Sequence, residues 1–114
     1  MTLAEFQQIL LRVTAGVYHF EAGEDAGEKY IVWQETGGRA LYGNNRCTER
    51  TRQIRVVLHT REKESFLPDR LLCELDRAGA AFEEPVTEYD PETKWIRHTV
   101  MCEVPYSLTT AVEG

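Results

Sequence analysis

The sequence has no hydrophobic run near the ~20 apolar residues that span a bilayer, and its N-terminus lacks the pattern of a signal peptide. We therefore expect the chain to stay in the cytoplasm, where it is made. Cysteine is also scarce: Cys47, Cys73 and Cys102 are scattered and odd in number, which excludes a regular disulfide framework. No CxxC pair is present to clamp zinc, and we interpret all three as reduced thiols.

Catalytic and phosphate-binding motifs are absent as well. The sequence contains no HxH, no HExxH, no Walker pattern and no strand-GxGxxG-helix unit. His59 and His98 fall on predicted strands, and an alternative is that they hold a metal together with Glu103. The favoured interpretation is that these are ordinary strand residues. The sequence therefore predicts no catalytic, metal-binding or cofactor-binding residue, and no enzyme.

A positive charge balance is missing too, since the net charge is −6. Proteins that hold nucleic acid by its phosphates are usually basic, so we predict no direct sequence-specific binding of nucleic acid. The charge is uneven, however. Acidic residues surround the last predicted hairpin, whereas residues 46–63 contain six bases and two acids. These bases are Arg46, Arg50, Arg52, Arg55, Arg61 and Lys63. They indicate either a solvated strand face or a surface that pairs with an acidic partner, such as a neighbouring copy.

Length and composition are those of one small globular domain. The chain has 114 residues, of which 42% are hydrophobic, enough for one modest core. We predict a single domain over residues 1–106. Residues 107–114 have little to bury and are expected to form a flexible C-terminal tail.

Two helices are predicted from apolar spacing and end signals. Thr2 and Glu5 form a capping box before an apolar stripe, and Gly16 is predicted to end this first helix. A second helix is predicted from Pro68 to Ala78, where proline suits the first turn and Gly79 follows the end.

The remaining segments predict strands with short connections. In chain order the predicted strands cover residues 17–20, 30–35, 50–60, 82–89 and 95–104. Gly37-Gly38 is predicted to break the second strand, and residues 41–45 have turn composition. Asp90-Pro91-Glu92-Thr93 is predicted to be a hairpin turn. The pattern indicates an α+β fold in the order α-β-β-β-α-β-β, with two helices packed on one face of a mainly antiparallel sheet.

Several segments, taken in order, resemble a known family. They are the run Leu-Tyr-Gly-Asn-Asn-Arg at 41–46, Val-Leu-His-Thr at 57–60, Leu-Asp-Arg-Ala-Gly at 75–79, Phe-Glu at 82–83 and Cys-Glu-Val at 102–104. Together they resemble the tail-terminator or tail-completion (minor tail) proteins of long-tailed phages and prophages. The similarity covers about residues 3–104 and consists of apolar positions and turn residues rather than a chemical signature.

The resemblance implies a structural role without catalysis. Such proteins form a homo-oligomeric ring, usually a hexamer, on the end of the tail tube. The ring stops tube polymerisation and offers a surface to the head connector protein. The expected location is the virion tail, after assembly in the host cytoplasm.

Ten residues are candidates for contacts between copies or with the tube protein. They are Tyr42, Asn44, Asn45, Arg46, Arg50, Arg52, Arg55, Glu88, Asp90 and Glu92. Two alternatives stay open. One is a head-closure or neck protein that joins head to tail. The other is a small bacterial metal-binding, ligand-binding or enzymatic domain that uses His59, His98 and Cys102.

Overall fold

The computed structural model describes residues 1–106, apart from the side chain of Thr48. The predicted tail at 107–114 lies outside the described residues. The helices are α1 (Leu3–Leu11) and α2 (Leu67–Arg77). The strands are β1 (Val17–His19), β2 (Lys29–Gly43), β3 (Arg46–Thr60), β4 (Ala81–Phe82), β5 (Val86–Tyr89) and β6 (Ile96–Pro105). In the described part of the chain, no helix has the length and apolar character needed to cross a membrane.

The first helix begins as predicted but ends earlier. Thr2 Oγ1 accepts a hydrogen bond from the Glu5 amide at 3.1 Å, which confirms the N-cap. Helix α1 ends at Leu11, so the prediction that Gly16 ends it is wrong. Gly16 instead meets the sheet: its carbonyl accepts from the Ile31 amide at 2.7 Å, and a Cβ there would lie 3.2 Å from the Cβ of Tyr30. The glycine therefore serves a close backbone approach.

The second helix lies where the sequence places it, within one residue. Pro68 occupies its first turn, and Gly79 follows the end with a φ of +83°. Leu71 and Leu75 are fully buried beneath it. Glu74, also buried, lies 3.7 Å from the guanidinium of Arg12, the residue that follows α1, and this contact links the ends of the two helices.

Residues 1–106 contribute six strands to one sheet, in the order β1-β2-β3-β6-β4, with β5 also paired to β6. Among these strands, β1 and β2 pair in parallel and the other described pairs are antiparallel. The α+β prediction is confirmed. The predicted strand at 82–89 is divided into β4 and β5, because Pro85 between them has no amide hydrogen to donate to the ladder.

The core lies between the two helices and one face of the sheet, which we call the helix face. Its fully buried members include Phe6 and Leu10 of α1 and Leu71 and Leu75 of α2. The strands contribute Ile31, Trp33, Ile54, Val56, Leu58, Val100, Cys102 and Val104. The buried residues of β3 and β6 alternate along each strand, as expected where one face of a sheet is covered. The opposite side, which we call the open face, carries no helix formed by residues 1–106.

Strand β2 passes through the two glycines that were predicted to break it. Gly37 pairs with Gln53 and Gly38 with Arg52, after a register shift at Thr36. A Cβ on Gly38 would lie 2.3 Å from the carbonyl oxygen of Thr51, so only glycine fits that approach. Here the glycines mark a β-bulge and a close contact rather than a strand end.

Candidate functional site

The distal half of the β2–β3 hairpin, residues 36–52, projects from the sheet, and we call it the arm. Strand β1 pairs with β2 only over residues 31–33, and the register of β6 with β3 ends at Thr51 opposite Pro105. Beyond these points the arm has two strands, and none of its described side chains is buried. The principal-axis extents of the molecule are 55 × 26 × 23 Å.

The tip of the arm is a two-residue turn. Asn44 and Asn45 have φ values of 52° and 63°, so both lie in the left-handed region. Two consecutive positive φ values match the twist of a hairpin with a type I′ turn, and asparagine tolerates this region better than most residues. The turn is therefore shorter than the predicted 41–45 segment, since Leu41 and Tyr42 belong to β2.

A cluster of three side chains attaches the base of the arm to β6 on the open face. Arg39 donates two hydrogen bonds to the Glu103 carboxylate, at 3.0 and 2.9 Å, and the Thr51 hydroxyl donates a third at 2.8 Å. The hydrogen bond from Arg39 is the main cause of a lowered Glu103 pKa. A bidentate pair of this kind fixes orientation as well as adding attraction.

On the helix face, two arginines of the arm lie over one aromatic ring. The guanidinium carbons of Arg52 and Arg50 are 4.5 and 5.3 Å from the ring centroid of Tyr106. The Tyr106 amide also donates to the Arg50 carbonyl at 2.9 Å. These cation–π contacts orient both arginines without neutralising them.

The arm is the basic region of an acidic protein. Residues 36–52 contain four arginines and one glutamate, whereas the whole chain has a net charge of −6. Arg46, Arg50 and Arg52 form no salt bridge with any other residue that the structure describes. Tyr42 and Leu41 near the tip are 72% and 61% exposed. The arm thus presents positive charge and apolar surface together.

The β5–β6 turn forms an acidic end, opposite the arm tip. The antiparallel register pairs Thr60 with Ile96 at this end of the sheet and Thr51 with Pro105 at the other. Asp90 Oδ1 accepts from the Glu92 amide at 3.0 Å, and a hydrogen bond with the Thr93 side chain is the main cause that lowers the Asp90 pKa. Residues 83–92 contain five acidic residues and no basic one.

The ten predicted contact residues therefore do not form one continuous surface but lie in several parts of the molecule. Tyr42, Asn44, Asn45 and Arg46 lie at or next to the tip of the arm. Arg50 and Arg52 lie near Tyr106 on the helix face.

The remaining four candidates lie on the sheet and at its acidic end. Arg55 lies on the open face, where it and Glu88 line one groove of about 610 Å³. Glu88 pairs with Arg97 at 3.2 Å, and Asp90 and Glu92 occupy the turn. Arg52 and Arg55 do not belong to one basic surface, so that interpretation of the basic stretch is wrong for this pair. They are three residues apart on β3, and an odd spacing along a strand places two side chains on opposite faces.

Two residues that line the groove, Tyr30 and His59, belong to an aromatic cluster that the sequence did not predict. Tyr30 and His59 are stacked with ring centroids 4.5 Å apart, and Trp95 contacts both edge-on. Burial, together with the charge of Arg97, lowers the His59 pKa. The alternation of β2 and β3 could have indicated that Tyr30 and His59 share a face, but their pairing requires the register.

The proposed histidine metal site is not assembled. Arg97, not His98, lies opposite His59, and His98 pairs with Leu58 on the helix face. Its Nδ1 lies 3.0 Å from the Thr87 hydroxyl. Cys102 is buried, which raises its pKa to about 12. Over residues 1–106 no group of three or more histidine, cysteine, aspartate or glutamate residues is arranged to hold a metal ion.

Comparison with known proteins leaves the family open. No protein-family model matches this chain, and no curated protein is significantly similar to it. The resemblance to phage tail-completion proteins therefore stays a prediction, and a proposed function depends on the surface of the molecule.

Proposed function

We propose that this protein is a structural subunit of a phage or prophage tail. Its copies form a ring that caps the tail tube, ends tube polymerisation and offers a surface to the head connector protein. The proposal joins the sequence resemblance to one structural observation, the projecting basic arm.

The arm supports an assembly role because it is held in a defined position although it contributes no described buried side chain to the core. It buries no described side chain, yet its tip and base are held by the Asn44-Asn45 turn and the Arg39–Glu103 pair. A defined extension that adds nothing to the core is available to contact another molecule. The tail tube protein, the head connector protein and a second copy of the chain are the partners that the proposal names.

The distribution of charge supports contacts between unlike surfaces of identical copies. The arm is basic, and the acidic end lies at the other end of β3 and β6. Contacts between two different patches of the same chain build rings when the rotation closes and open filaments when it does not. A tail cap requires the closed form.

Solution mass tests the ring directly. Light scattering behind size exclusion should give one discrete multiple of the 13.1 kDa subunit mass over a range of protein concentrations. A variant in which residues 39–50 are replaced by a short glycine turn should be monomeric and should keep a cooperative unfolding transition. A wild-type chain that stays monomeric, with no ring in negative-stain electron microscopy, would contradict ring formation in solution.

Capping is tested on purified, headless tail tubes. Gold-labelled protein should bind one end of each tube in electron micrographs, and the arm-replaced variant should not bind. Label along the whole tube, or binding that does not depend on the arm, would contradict a terminator role.

A further inference from the structure

Two edges of the sheet have no strand beside them in the part of the chain that the structure describes. On one side, no described strand pairs with β2 beyond Trp33, so the outer strand of the arm has no neighbouring strand on that side. On the other side, β5 pairs with β6 alone. An open edge presents backbone N–H and C=O groups that readily accept another strand.

The arm as a whole and the segment around β5 have opposite charge. Arg46 and Arg50 lie on β3, beside the outer strand of the arm, and form no salt bridge with a described residue; the same is true of Glu84 and Glu92, which flank β5. Pairing one arm with another would place like charges together, which is unfavourable. Pairing the arm with the acidic β5 edge places unlike charges together, so charge selects the second arrangement.

Both edges also carry exposed apolar side chains. Tyr42 on the arm is 72% exposed, and on β5 Val86 is 61% and Tyr89 46% exposed. All four residues of β5 are exposed. Burying such side chains on contact supplies an attraction that salt does not screen.

We propose that the outer edge of the arm in one copy adds to the β5 edge of the next copy, so that one sheet continues from subunit to subunit. This inference rests on the proposed assembly function and names the contact that would build the ring. Backbone hydrogen bonds supply attraction along the edge, while the charges set partner and direction.

Charge reversal tests the contact. The arm variant Arg46→Glu/Arg50→Glu and the edge variant Glu84→Lys/Glu92→Lys should each weaken self-association at least tenfold in sedimentation experiments. The variant that combines all four substitutions should return to within about threefold of wild type, because both surfaces then have reversed sign. A mixture of the two double variants should assemble although neither does so alone.

A matched control separates this contact from a general effect of charge. Glu24→Lys/Asp25→Lys makes the same change in charge as the edge variant, in the loop between β1 and β2 and outside both edge strands, and should leave association within twofold of wild type. Circular dichroism and thermal unfolding should show that every variant is folded.

Amide hydrogen exchange tests the strand pairing itself. Exchange should slow on assembly in residues 36–43 and 86–89 of wild type and not in the arm variant. Protection confined to other segments would overturn the contact, as would a combined variant that fails to recover or single reversals that change nothing.

The outcomes distinguish the contact from the ring. Rings that persist in both reversed variants would overturn the strand-edge contact and leave the ring standing. Open filaments that obey the reversal pattern would support the contact and overturn the closed cap. A chain that stays monomeric at every concentration would overturn the contact between free copies.

Discussion

Strands β2 and β3 each run through two different environments. In the proximal half, residues 29–35 and 53–60, side chains alternate between a fully buried helix face and a partly exposed open face. In the arm, residues 36–52, no described side chain is buried. Both strands continue across the boundary, where the β2–β3 ladder shifts register at Thr36, so strand formation does not depend on burial here.

The two halves are specified by different physical means. Ile31, Ile54 and Leu58 fix the proximal half through the period-two apolar pattern, since a slip of one residue would expose them. The arm has no such pattern, and the left-handed Asn44-Asn45 turn and the bulge at Thr36 set its register. Core packing therefore fixes the proximal half, whereas the side chains on the arm surface are not constrained by the core.

The largest expected difference between the halves comes from deleting an aromatic ring in each. Trp33→Ala removes a ring that is 2% exposed, packs on Phe6 with centroids 5.3 Å apart and donates to Gln7 at 3.0 Å. We expect it to lower the free energy of unfolding by about 3–5 kcal/mol in chemical denaturation. Tyr42→Ala in the arm should change it by less than about 0.5 kcal/mol. Equal losses would show that the arm is part of the cooperative core.

A smaller effect is expected from two neighbouring glycines at the boundary. In Gly38→Ala the new Cβ would lie 2.3 Å from the Thr51 carbonyl oxygen, so the backbone must shift, at a cost of about 1–3 kcal/mol. In Gly37→Ala the nearest atom is the side-chain Oε1 of Gln53 at 3.4 Å, which can move. Gly38→Ala should therefore lower the thermal unfolding temperature and weaken association more than Gly37→Ala does. A Gly38 variant that behaves like the Gly37 variant would refute the close approach of Gly38 to Thr51.

The smallest expected effect is a change of the free energy of unfolding with pH. It arises from the proximal half, because the arm contains no histidine. The His59 pKa is lowered by burial and by Arg97, so below about pH 6.5 the unfolded chain takes up this proton before the folded protein does. The free energy of unfolding should therefore fall as pH drops from 7 towards the lower folded pKa. His59→Phe keeps a ring beside Tyr30 and should reduce the fall; burial of His98 contributes in the same direction.

The sequence predicted the elements that repeat a simple period and missed those that depend on pairing. Helix α2 and the buried face of β3 follow directly from apolar spacing. Gly37-Gly38 has the composition of a strand break, and only the approach of Thr51 shows why glycine is needed inside a strand.

For the candidate site, too, the sequence indicated the features set by local composition and missed those set by strand pairing. Turn composition and the charge count indicated the tip and the basic stretch. The length of the arm, the Arg39–Glu103 pair and the opposite faces of Arg52 and Arg55 depend on the register between strands distant in sequence. No local pattern contains that information, because a charged residue looks the same in sequence on either face.

The two-residue turn at the tip also bears on how the chain folds. It joins two strands of 15 residues each, so the pairs nearest Asn44 and Asn45 are separated by only a few residues along the chain. Closing so short a loop is fast and costs little entropy, whereas the β3–β6 ladder must wait for the intervening helix to be placed. We therefore expect the hairpin to form from its tip towards the core. The arm, which lies outside the native core, would then form the earliest contacts.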